Sequence, residues 1–120
     1  MLHSYITICI FASTLFNYMK TLQQRVNADK LTKPAEMLRV AAHPQRLAIL
    51  DLLRSGKHYN NSELQELLGI EQPILSQHLT LMRDKGLLNC TKDGKFAHYS
   101  IRYEDFHFII DCIENCCTKL

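Results

Sequence analysis

The chain has 120 residues, 47% of them hydrophobic and 22% charged, with a net charge of +2. This describes one ordinary globular domain, long enough to bury a modest core, and it argues against a disordered or fibrous protein. So small a charge supplies no broad basic field, so any contact with nucleic acid has to rest on local placement of cations.

Residues 1–19 contain no Lys, Arg, Asp or Glu, and Tyr5 to Phe16 is mostly apolar. A secretory signal needs a basic first region, which is missing. A membrane span needs roughly 20 strongly apolar residues, and this stretch carries His3, Ser4, Thr7, Ser13, Thr14 and Asn17. Two readings stand: an extra helix buried against a partner subunit, or a natural start at Met19. The expected division is 1–19 as this uncharged segment and 20–120 as the folded domain.

From Lys20 to Asp29 the chain turns polar and helix-compatible. Pro34 suits the first turn of a new helix continuing through Ala35 to Ala42, because an N–H is unused there. His43-Pro44 breaks it, since the residue before a proline avoids helical angles. Pro44 then opens a helix whose Leu47, Ile49, Leu50, Leu52 and Leu53 form a dense apolar face, with Ser55-Gly56 as its stop. Lys57 to Asn61 reads as a polar connector. Asn61 or Ser62 is the expected cap of a short helix over Glu63 to Leu68, ended by Gly69. Pro73 opens the next helix, which runs to about Lys85 and stops at Gly86.

After Gly86 the period changes to two. Leu88, Cys90 and Lys92 alternate with Leu87, Asn89 and Thr91, and Phe96, His98 and Ser100 alternate with Ala97, Tyr99 and Ile101. Asp93-Gly94 between these runs signals a hairpin. Tyr103 to Cys117 returns to helical spacing, with Phe106, Ile109, Ile110 and Ile113 as its stripe. The expected fold is therefore mainly α with a small β-hairpin: a winged helix-turn-helix, its second helix the DNA reader and its hairpin the wing.

On the Pro73 helix, Leu75, Leu79 and Met82 share one face and belong in the core. Ser76, Gln77 and Thr80 point away, and Gln72, Pro73 and Ile74 form the leading end. Amide and hydroxyl side chains here suit base edges, and free N–H groups suit a phosphate. Lys92 and Lys95 flank the wing tip, placed for phosphates or the minor groove. Taken alone, each of these is also an ordinary solvated face. The short helix, glycine turn, proline-led helix and hairpin in succession favour double-stranded DNA as the partner. His78 reads as a hydrogen-bonded structural histidine, and so does His98. No nucleophile elbow, P-loop or metal-hydrolase motif is present, so no enzyme is expected.

Several motifs now stand in order. They are the run from Leu38 through Ala41-Ala42-His43-Pro44-Gln45-Arg46-Leu47 to Leu50, then Gln72-Pro73-Ile74-Leu75-Ser76-Gln77-His78-Leu79. They continue with Leu81-Met82-Arg83-Asp84-Lys85-Gly86-Leu87-Leu88 and with Gly94-Lys95 through His98-Tyr99-Ser100-Ile101. Together they resemble the arsenic-repressor (ArsR/SmtB) family of transcriptional regulators, from about Lys33 to Ile113. The resemblance implies a homodimer whose first and last helices pack together. It also implies that the dimer represses from a dyad operator until an inducer releases it.

The chain departs from that family at its sensing sites. Where family members carry a thiolate pair before the reading helix, this chain has Asn60 and Ser62, which are no soft ligands. The positions of a second metal site fall on Tyr103, Asp105, Cys116 and Lys119, of which two are poor ligands. A persulfide-sensing subgroup has a cysteine after the His-Pro break, and Gln45 to Ser55 holds none. No cofactor is therefore expected.

There are five cysteines, with no C-x-x-C pair and no disulfide spacing, as in a reducing compartment. Asp105, His107, Cys112, Cys116 and Cys117 form the remaining candidate cluster, for Zn²⁺ or Cu(I) or for redox chemistry, against plain burial of small hydrophobes. Cys9 joins them if a first helix packs there, and Cys90 reads as strand packing. The alternatives to a plain repressor are a winged-helix protein-interaction module and a thiol-sensing repressor using these cysteines.

Overall fold

The computed structural model describes residues 20–120; the expectations for residues 1–19 lie outside them. The chain divides into two compact units, one ending at Ala35 and one spanning Glu36–Leu120.

In the first unit, α1 covers Leu22–Arg25, and α2, Ala28–Ala41, begins. Pro34 does not open a helix: it lies inside α2. Asn27 explains the early start, since its Oδ1 accepts the Asp29 N–H at 3.1 Å and so satisfies one of the donors a helix start leaves over. Pro34 then forfeits a single ladder bond on an exposed face.

The second unit holds the rest. α3 is Pro44–Leu53, with His43 as its cap: His43 Nδ1 accepts the Gln45 N–H at 3.2 Å. Ile49, Leu50 and Leu53 on α3 are fully buried. The connector holds a two-residue strand, β1, Tyr59–Asn60. Two residues are too few to show alternation, so this strand has no sequence signature. It pairs antiparallel with β3, giving sheet order β1-β3-β2.

Next, α4 covers Asn61–Leu68 and is capped one residue earlier than expected. Asn60 Oδ1 accepts the Glu63 N–H at 2.8 Å, and Glu63 Oε2 accepts the Asn60 N–H at 2.9 Å. Asn61, expected as a cap, instead turns inward, and its Oδ1 is buried without a hydrogen-bond partner among the described residues. Gly69 ends α4 in the left-handed region at φ 64, a geometry that glycine adopts without Cβ strain. α5 covers Gln72–Asp84, with Glu71 as N-cap and Pro73 in its first turn.

β2, Leu88–Asp93, and β3, Phe96–Ile101, form the hairpin, with Asp93 opposite Phe96. The loop is therefore Gly94-Lys95 rather than Asp93-Gly94. Among the described residues only glycines have positive φ, and Gly94 has φ 61. Positive φ at the first central position alone is the type II′ pattern, whose twist suits a two-residue hairpin. Finally, α6 covers Phe106–Lys119 and packs on α3. It starts three residues later than Tyr103, which leaves Asp105 as its cap residue.

One apolar core unites the elements of the second unit. Leu64 of α4, Leu75, Leu79 and Met82 of α5, and Leu87 and Leu88 entering β2 are fully buried beside the α3 residues. Each such side chain contributes about 1.5–3 kcal/mol by leaving water. The winged helix-turn-helix architecture expected from the sequence is the one observed, with a third short strand added.

Candidate nucleic-acid interface

The helix-turn-helix consists of α4, the turn at Gly69-Ile70-Glu71, and α5. Ile70 is buried under the turn, and Leu64 pins α4 to the core. On α5 the buried face is Leu75, His78, Leu79 and Met82, a spacing of three, one and three that keeps one stripe inward. The opposite stripe is thereby forced into solvent. Gln72, Pro73, Ile74, Gln77 and Thr80 are exposed, and Ser76 is half-buried. Ser76, Gln77 and Thr80 line a shallow groove together with Leu81 and Asp84. The predicted reading residues thus share one open face of one helix.

Gln72 and Pro73 are the first two residues of α5. The amides of an α-helix's first turn lack internal acceptors and favour an anion. In the wing, Lys92 lies in β2 opposite Ala97, and Lys95 is in the loop. Both are exposed, and among the described residues neither joins an ion pair. By contrast, Arg83 at the far end of α5 sits 3.2 Å from Asp84, which raises its pKa through a hydrogen bond and through charge. The positive charge still open to a partner on this face is therefore at the wing tip.

Sequence reasoning missed how α5 is held. His78 Nδ1 accepts the Arg46 Nε–H at 3.0 Å, and His78 Nε2 lies 2.8 Å from Gln45 Oε1. Arg46 also donates from Nη1 to the Val40 carbonyl at 2.9 Å. The His43 ring is 4.8 Å from that of His78, centroid to centroid. At the other end of α5, Lys85 Nζ meets Glu36 Oε1 at 2.6 Å, which lowers the Glu36 pKa. His78 is the hydrogen-bonded structural residue that the sequence leads one to expect; its partners, more than thirty residues away, have no local signal.

The positions of the missing thiolate pair have other uses. Asn60 caps α4, and Ser62 is exposed in its first turn. Cys112, Cys116 and Cys117 are free and exposed on α6, and Cys90 is half-buried in β2. Asp105 is exposed and His107 half-buried. Within one chain these side chains do not converge: among the described residues, no three His, Cys, Asp or Glu side chains gather closely enough to hold a metal ion.

Residues 43–89 match the model of the family described as "Bacterial regulatory protein, arsR family". The HTH-type transcriptional regulator YgaV of Escherichia coli (strain K12) is 36% identical over 81 residues, covering 68% of this chain and 82% of that protein. The chain belongs to the arsR family. Another relative is a probable mercury resistance operon repressor of Streptomyces lividans, 31% identical over 96 residues, 72% of this chain and 76% of that one. Among solved structures, the transcriptional repressor PagR of Bacillus anthracis superposes with a TM-score of 0.64 at 34% identity, over 70% of this chain and 95% of PagR. The ArsR match spans the His43 cap, the helix-turn-helix and the start of the wing, which are the elements that build the open face of α5.

Proposed function

We propose that this chain is a sequence-specific, DNA-binding transcriptional repressor that acts as a homodimer on a dyad operator. One observation carries the reading: Ser76, Gln77 and Thr80 stand on the solvent face of a core-anchored α5, with exposed Lys92 and Lys95 on the adjoining wing. Gln77 and Ser76 read base edges in the major groove, and Thr80 extends that contact. Gln72, Pro73 and Ile74 bring the helix start to the backbone, while Lys92 and Lys95 hold phosphates. The repressor names of ArsR relatives support the sign of the regulation.

The work is binding rather than catalysis, and free thiols with DNA as partner suit the cytoplasm. Among the described residues, no helix is long and apolar enough to cross a membrane.

The homodimer reading rests on α6. Phe106 and Ile110 point into the chain's own core, while Phe108 is 74% exposed and Cys112 and Cys116 are exposed at four-residue spacing beyond it. A helix apolar on a second face fits a copy of itself.

The test is a titration of labelled duplex from the chain's own promoter region at several salt concentrations. We expect tight binding whose log affinity falls linearly with log salt, by about 0.9 per phosphate contacted. Absence of binding at low salt would leave the winged helix as a protein-interaction module.

A further inference from the structure

The contact that seats α5 on α3 depends on the protonation state of a single ring. Arginine has donors only, so the Arg46 Nε–H at 3.0 Å from His78 Nδ1 requires that nitrogen to be bare. The proton of the neutral ring is then on Nε2 and is donated to Gln45 Oε1 at 2.8 Å. Both ring nitrogens are used, both partners lie on α3, and the ring is only 7% exposed. The titratable or charged groups facing it are Arg46 of α3 and His43 ahead of α3. Among the described residues, no carboxylate is one of its hydrogen-bond or ring partners to welcome a second proton.

We propose that His78 is a positioning residue for DNA recognition: its neutral ring locks α5 to α3 through Arg46 and Gln45, and protonation in mild acid releases that lock and weakens operator binding. This rests on the repressor reading above. A second proton on Nδ1 sets donor against donor and cation against cation at 3.0 Å. Arg46 then swings away from the ring, and α5 loses one of the two side-chain hydrogen bonds that join it to α3 among the described residues. Burial first, then the nearby Arg46 and His43, hold the His78 pKa below the ordinary histidine value. The contact is therefore complete above the ordinary histidine range and is lost as pH falls through the lowered value.

The sign separates this device from general electrostatics. General protonation of a protein surface in acid makes it more cationic and raises affinity for a polyanion. The lock acts in the opposite direction.

The experiment measures affinity for the promoter-region duplex from about pH 7.5 to about pH 5, in wild type and in His78→Asn. The asparagine Oδ1 offers Arg46 an acceptor and does not titrate. We expect wild-type affinity to fall on the order of tenfold with acid, with the helix content unchanged by circular dichroism. The variant binds at neutral pH and keeps or gains affinity in acid. In parallel, imidazole nitrogen shifts of the wild type should show Nδ1 bare at neutral pH, with amide exchange in α5 speeding up as that ring titrates. This measurement stands even if the variant does not fold.

A wild-type affinity that holds or rises in acid overturns the lock, as does an equal fall in His78→Asn, global loss of helix, or a ring already charged at neutral pH. No binding at neutral pH sinks the repressor reading itself, and the lock's role in recognition falls with it.

Discussion

Gln77 and Lys95 are both exposed, yet the contacts proposed for them are of different kinds. Gln77 projects from the middle of a helix whose other face is locked in the core, so its amide is held at a fixed depth. Lys95 is one residue past a left-handed glycine at a hairpin tip, on a flexible stem that supplies charge without direction. A bidentate amide–adenine pair is worth about 1–3 kcal/mol of discrimination, whereas a phosphate contact is blind to sequence. Gln77→Ala should therefore narrow the gap between operator and unrelated duplex with little change in salt slope. Lys95→Ala should weaken binding to both duplexes about equally and reduce the slope by about one phosphate. Competition titrations with the two duplexes at several salt concentrations separate the outcomes, and matching behaviour of the two variants would refute the assignment.

At the scale of elements, α4 is the helix of the second unit that buries the fewest side chains. It contributes one fully buried side chain, Leu64, to the core, and its ends depend on Asn60 and Gly69. Leu64→Ala should cost about 2–5 kcal/mol in chemical denaturation, while Asn60→Ala should cost about 1 kcal/mol through loss of the cap. The order matters more than the sizes: a costlier cap than core residue would mean that α4 is held by its entry rather than by its packing.

The same elements show what the sequence could reveal. Helices with a strong apolar period, α3, α5 and α6, were legible because burial writes that period directly. So was the hairpin, because a change from helical spacing to alternation is a physical change of geometry. Three features were not. Pro34 reads as a helix start only if the Asn27 side chain, which caps the Asp29 amide, is ignored. β1 is too short to have a period. The choice of Asn60 over Asn61 and Ser62 as cap depends on β1 fixing an extended backbone at Asn60. The exposed face proposed to read DNA was legible as the complement of the core stripe, whereas the Gln45–Arg46–His78 contact joins helices through folding alone.

For the whole molecule, a single α5 presents one face for the proposed reading, and one face cannot span a dyad site. Two copies related by a two-fold axis place their reading helices about 34 Å apart, one turn of duplex. The second face of α6 offers the means. Phe108 leaves most of its ring in water, which a stable monomer has little reason to keep beside half-buried Ile109 and Ile113. Arg54 of the segment closing α3 is bonded to Asp51 at 2.9 Å and Asp111 at 2.5 Å, with Glu114 at 3.8 Å. These exposed pairs add a modest tie between α6 and α3 to their apolar packing. Phe108→Asp puts a charge at the centre of the proposed seam and leaves the chain's own core untouched. Sedimentation velocity should show wild type at twice the monomer mass and the variant at the monomer mass, with unchanged helix content. Because linked half-sites gain about a hundredfold or more over separate ones, the variant's operator affinity should fall by at least that factor, while its binding to a single half-site stays near that of one wild-type subunit. A variant that remains dimeric would move the seam off α6, and a wild type that is monomeric at working concentration would remove the dyad from the mechanism.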